Sequence, residues 1–114
     1  MFKISLIIAA ISTTMLTPIA SAQQNKDPGQ QAGQLIGAAL TIQEQCAGRP
    51  LRSQEAEKAL QARVVNAISK QTGSTPDNVR LGLAAGAMQV SFAPKPTKKE
   101  CKAAENIVGV AQKM

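Results

Sequence analysis

The chain contains no histidine, tryptophan or tyrosine, and its 114 residues include two phenylalanines. Without histidine it lacks the commonest general base, the usual activator of a serine or cysteine nucleophile, and the main nitrogen ligand for zinc or copper. Scarce aromatics leave no platform on which single-stranded bases could stack, so nucleic acid is not an expected partner. The two cysteines, Cys46 and Cys101, form neither a Cys-x-x-Cys nor a Cys-x-x-Cys-His motif, which argues against thioredoxin-like redox chemistry and covalent haem. Met88 and Met114 are isolated and do not complete a soft-metal site. Glycine-rich phosphate loops, Gly-x-Ser-x-Gly and His-Glu-x-x-His are all missing. Acids number only seven, and the closest pair along a predicted helix, Glu55 and Glu57, stands at i and i+2, where helical side chains diverge. We read both as first-turn charges. The expectation is a non-enzyme with no catalytic, cofactor-binding or metal site.

What is present begins with a leader. Lys3 precedes an apolar stretch from Ile4 to Ile11, and Pro18 interrupts any helix. Ala20-Ser21-Ala22 then gives the small-x-small pattern of a signal-peptidase site. The apolar core is too short for a bilayer, whose crossing takes about 20 residues. Residues 1–22 are therefore expected to be a cleavable signal peptide, and the protein periplasmic or secreted. Residues 23–29, polar and rich in turn formers, are expected to be a disordered lead, with a single domain over 30–114. Twelve basic residues remain after Lys3 is removed, against seven acids, a net charge of about +5. A charge of that size suits ordinary solubility or an acidic partner.

In an oxidising compartment an even pair of cysteines reads as one disulfide, Cys46–Cys101. The loop it closes is long, so the chain-entropy gain is about 4 kcal/mol, large beside the marginal stability of so small a domain.

Four helices follow from periodicity and punctuation. Ala32, Leu35, Ile36, Ala39, Leu40 and Ile42 recur at helical spacing over 30–46, weakened by Gly33 and Gly37 and ended by Gly48 and Pro50. Ser53 caps a second helix, striped by Ala56, Leu60, Val64, Ala67 and Ile68 and stopped at Gly73. Thr75-Pro76-Asp77 opens a third, which continues through Val79, Leu83, Ala87 and Met88. Its end is ambiguous, because residues 88–92 alternate with period two and suit either helix or extended chain. Thr97 and Glu100 form a capping box for a fourth, lined by Cys101, Ala104, Ile107, Val108 and Ala111. The expected fold is all-α, a small antiparallel up-down-up-down four-helix bundle closed by the disulfide, with both cysteines at one pole.

Two features could carry contacts. Gly82 and Gly86 form a small-xxx-small face, suited to close packing against an Ala-rich neighbour within the chain, or to packing between protomers or with a membrane helix. Lys95, Lys98, Lys99 and Lys102 cluster where a helix begins, so they are either a solvated group or an anion-binding site that uses free N–H groups. The functional expectation is an exported, non-enzymatic interaction protein of the cell envelope, of adaptor, inhibitor, immunity or chaperone type. The alternative is a binder of lipopolysaccharide or anionic lipid through residues 95–102. Oligomeric state is open. Cys46→Ala combined with Cys101→Ala should lower stability by about 2–4 kcal/mol. An unchanged denaturation midpoint under reducing and oxidising conditions would show that the bond is no clamp.

Overall fold

The computed structural model describes residues 27–114, all of whose regular elements are helices: α1 (Pro28–Ala47), α2 (Gln54–Thr72), α3 (Pro76–Ser91) and α4 (Lys98–Gln112). Each start is set by a side chain that accepts a bond from the first turn's free N–H groups. Asp27, Ser53, Thr75 and Thr97 are the four N-caps, with proline in the first turn of α1 and α3. Both arms of the Thr97/Glu100 capping box form. Glu100 N donates to Thr97 Oγ1 at 3.2 Å and Thr97 N donates to Glu100 Oε1 at 2.8 Å. Gly48 and Gly73 end α1 and α2 in the left-handed region, at φ 72° and 79°, the conformation that favours glycine at a helix C-terminus.

One expectation needs correction, and the open end of the third helix is decided. Residues 27–29 do not belong to a disordered lead, because Asp27 caps α1 and Pro28 opens it two residues before Gln30. The remainder of that lead, and the leader, lie outside the described residues. Residues 88–91 are helical, not extended: Val90 is buried on the same helical face as Gly86 and Leu83, and Phe92 N donates to Met88 O at 3.3 Å. Met88, which follows Val79, Leu83 and Ala87 at helical spacing, is 61% exposed. The core face of α3 is Val79, Gly82, Leu83, Gly86 and Val90.

Helix α1 is the hub. It packs against each of the other three helices, most extensively against α3, whereas α3 and α4 make no close backbone contact. Every residue from Ala32 to Leu40 is buried, so the glycines that weaken α1 as an isolated helix lie inside the protein. They are there because the α1 and α3 backbones touch. A Cβ on Gly33 would lie 2.5 Å from the Val79 carbonyl oxygen, and one on Gly37 would overlap that of Leu83. From the other side, a Cβ on Gly82 would overlap the Gln30 carbonyl oxygen and one on Gly86 that of Gln34. Cα–H groups therefore point at carbonyl oxygens in both directions, the weak hydrogen bonding that accompanies close helix pairs. The contacts advance by one turn on both helices together, so α1 and α3 run in the same direction. Gln34, buried in this contact, donates from Nε2 to Gln89 Oε1 at 2.8 Å.

The remaining core is aliphatic. Leu60, Val64, Val65 and Ile68 of α2, and Ala104, Ile107, Val108 and Ala111 of α4, close over α1. Glycine should thus have opposite value at two helical positions. Gly86→Ala should destabilise by about 1–3 kcal/mol through overpacking. Gly109 lies in the interior of α4, and an added Cβ there would meet nothing within 4 Å. Gly109→Ala should therefore stabilise by about 0.5–1 kcal/mol. Chemical denaturation of the two variants checks the signs.

Candidate functional site

The two predicted sites fall at the same end of α1. Cys46, in the last turn of α1, is bonded to Cys101 in the first turn of α4, with Cα atoms 6.1 Å apart. That separation is within the range a disulfide spans. Of the expected anion group, Lys98, Lys99 and Lys102 lie on α4 and Lys95 in the loop before it; all four side chains are exposed. None pairs with an acid among the described residues, whose ion pairs are Arg52–Glu57 at 3.3 Å and Arg80–Asp77 at 3.1 Å. The capping box uses the Glu100 N–H, so part of the donor set of α4 is engaged within the chain.

Two shallow clefts share Glu57. One, about 350 Å³, lies between α1, α2 and α3, with Gly37, Leu40 and Leu83 in its walls and Gln61 and Arg80 beside them. The other, about 380 Å³, lies under the α1–α2 loop between Glu44, Pro50, Arg52 and Lys58. Glu57 takes the Arg52 guanidinium on Oε1 and accepts from Gln61 Nε2 at 3.0 Å on Oε2, so the one acid common to both clefts is already engaged. Among the described residues no group of three His, Cys, Asp or Glu side chains could hold a metal.

At the opposite end of α1 a polar cluster escapes sequence reading, because composition places its central residue in the lead. Asp27 accepts from Gly29 N at 2.9 Å, Gln30 N at 3.1 Å, Asn78 Nδ2 at 2.8 Å and the Ser74 hydroxyl. Ser74 Oγ in turn accepts from Gly29 N at 2.9 Å, and Ser69 Oγ donates to Ser74 O at 2.6 Å. One carboxylate thus ties the start of α1 to the α2–α3 turn and to α3. The Ser74 hydroxyl foremost, then the Gln30 N–H, holds the Asp27 carboxyl below the usual aspartate range, against the opposing effect of burial.

A second feature hidden in the sequence lies on the outer side of α3. Leu81, Met88 and Phe92 are 58%, 61% and 85% exposed, the large apolar side chains most open to solvent among the described residues. With the exposed Ala84 and half-buried Ala85 they fall at i, i+3, i+4, i+7 and i+11, one stripe directed away from α1. Between Arg80 and Lys95 the chain carries no charge. That run is the available signal, obscured because the alternation of residues 88–92 suits extended chain as well as helix. The arrangement can make contacts; it assembles no nucleophile with a base. No known family, curated protein or solved structure matches the chain.

The Asp27 cluster makes stability acid-sensitive in a defined direction. A depressed native pKa contributes stability that is fully present above the unfolded value, about 3.9, and lost as pH falls through the native one. Asp27→Asn, which keeps a capping oxygen but no charge, should melt at lower temperature than the parent at neutral pH. The gap should narrow below about pH 4. A gap constant across that range would mean that the charge contributes nothing.

Proposed function

We propose that the protein is an exported, non-enzymatic interaction protein of the cell envelope, acting by surface contact through the outer face of α3. The observation that carries this reading is the exposed stripe of Leu81, Met88 and Phe92 within the charge-free run of residues 81–94. Exposed apolar patches on otherwise polar proteins mark sites of association. Export rests on the leader pattern, Lys3 through Ala22. The Cys46–Cys101 bond fits the oxidising compartment that such a leader serves. We also infer an up-down-up-down course for the four helices, supported by short connections and by α1 and α3 running in the same direction. In this reading α1 occupies the centre and not a place in a closed ring.

The Lys95, Lys98, Lys99 and Lys102 group supports a second reading, contact with lipopolysaccharide or anionic lipid, because all four lysines are exposed and unpaired with acids. Attraction of that kind weakens with salt, whereas apolar contact through α3 does not.

A photo-crosslinking residue in place of Met88 tests the reading in the producing cell. The chain should appear outside the cytoplasm beginning at Gln23, and should form a protein adduct that the same residue at exposed Lys58 does not. Retention of residues 1–22, or no adduct from position 88, would sink the proposal.

A further inference from the structure

The exposed lysines and the large apolar side chain most open to solvent, Phe92, stand at the same end of the molecule. We propose that this end docks on an anionic phospholipid bilayer, Phe92 entering the interface while the lysines meet lipid phosphates; this rests on the reading of Lys95, Lys98, Lys99 and Lys102 as an anionic-lipid contact. The disulfide and the glycine contact fix the placement. Lys98 and Lys102 lie within one turn of Cys101, which is bonded to Cys46 in the last turn of α1. Gly82 meets Gln30 and Gly86 meets Gln34, the two helices advancing together. Phe92, which caps the C-terminus of α3, therefore falls level with the final turns of α1. Lys95 follows it in the same loop.

The charges at this end favour an anionic surface. The four lysines and exposed Arg49 pair with no acid among the described residues. Glu57 holds Arg52, Glu100 closes the capping box, and Glu44 accepts from Leu51 N at 3.4 Å. Glu55 and, a turn farther along α4, Glu105 are the acids left open. The backbone here also suits a medium poor in water. Phe92 N donates to Met88 O at 3.3 Å, Ala93 N to Val90 O at 3.1 Å and Thr97 N to Glu100 Oε1 at 2.8 Å. Pro94 and Pro96 have no N–H, which leaves Lys95 with the free donor of the loop. Such a loop can enter the headgroup region with little unsatisfied backbone. An exposed aromatic ring edged by basic side chains is the combination that partitions to anionic interfaces, through apolar burial and attraction together.

Because the chain contains no tryptophan, Phe92→Trp supplies a single fluorophore at this end, and Leu81→Trp one nearer the start of α3. Both positions are exposed, and thermal melting should confirm intact folds. The oxidised, processed variants are mixed with vesicles of equal parts phosphatidylcholine and phosphatidylglycerol, or of phosphatidylcholine alone. Emission from position 92 should shift to the blue, and be quenched by acyl-brominated lipid, when phosphatidylglycerol is present; emission from position 81 should do neither. Phe92→Ser should weaken partitioning about tenfold, and Lys98→Gln with Lys99→Gln about tenfold or more. Lys70→Gln with Lys113→Gln, at the far ends of α2 and α4, removes equal charge and should weaken it far less. Vesicle binding that needs Lys98 and Lys99 but leaves position 92 in water overturns the docking of Phe92 and leaves the lysine contact standing. Equal burial at positions 81 and 92 overturns this end as the docking face. Binding to lipopolysaccharide without binding to phosphatidylglycerol vesicles overturns the phospholipid target alone. Binding to neither, or equal loss from the two lysine pairs, overturns the lysine contact as well.

Discussion

The backbone contact between α1 and α3 is the constraint on which the rest of the molecule depends. Two helices whose chains touch need glycine at each crossing point, and each glycine weakens its own helix by about 0.5–1 kcal/mol relative to alanine. Gly33, Gly37, Gly82 and Gly86 accept that cost together, two on each helix, each meeting a carbonyl oxygen of the other. In return the pair gains dense van der Waals contact and reciprocal Cα–H to oxygen interactions. Because α3 lies so close, α1 is buried on every side from Ala32 to Leu40, and α2 and α4 have a central rod to close over. The core can then be built without aromatic residues, from valine, isoleucine, leucine and alanine alone.

A helix pair with that geometry still has to be held at its ends, and the two ends are held by different chemistry. At one, Asp27 joins the start of α1 to Ser74 and Asn78; a Cβ on Gly29 would run into the Ser74 side chain, so α1 starts flush against the α2–α3 turn. At the other, Cys46 joins the end of α1 to α4. The covalent bond acts where α3 gives no help, since α3 and α4 make no close backbone contact. It constrains the unfolded chain more than it adds native contact. The Asp27 cluster is expected to respond to acid and the disulfide to reductant, so the two ends of α1 are held by separable chemistry.

Helix existence was legible because it is written locally. Ser53, Thr75 and Thr97 sit three residues before the N–H groups they cap, and Gly48 and Gly73 stand where a left-handed residue is needed. The pairing of Cys46 with Cys101 was legible because there were only two cysteines to pair. Which helix would be central was harder to read. Gly33 and Gly37 look like defects when α1 is considered alone, and become an interface only when Gly82 and Gly86 are set beside them. Gly29 completes the same spacing on α1, but its polar neighbours make it look like part of a lead. Asp27 is hidden for the same reason: its partners Ser74 and Asn78 are distant in sequence, and no local pattern marks them. The stripe on α3 is hidden differently, by the alternation of residues 88–92, which fits a strand until Gly86, Leu83 and Val90 are seen to share one buried helical face.

That stripe follows from the glycine contact in a way that bears on function. Close approach to α1 forces the inner face of α3 to be small, with Gly82 and Gly86 between Val79, Leu83 and Val90. An ordinary amphipathic helix would then carry charge on its outer face, where lysine or glutamate lowers no packing density and aids solubility. Here Leu81, Met88 and Phe92 stand outward, while both glycines of the helix face inward. Intramolecular stability cannot account for the outward set, because these side chains pack against little of the domain and contribute mainly exposed apolar area. Nor does the protein lack charge to place there, having thirteen basic residues and seven acids elsewhere. Selection for folding alone would favour polar side chains at all three positions, and that mismatch is what motivates the proposal of α3 as a contact surface. The glycine pair holds α3 close against α1, so a partner that docked on the outer face would meet a helix already formed and would lose less ordering entropy.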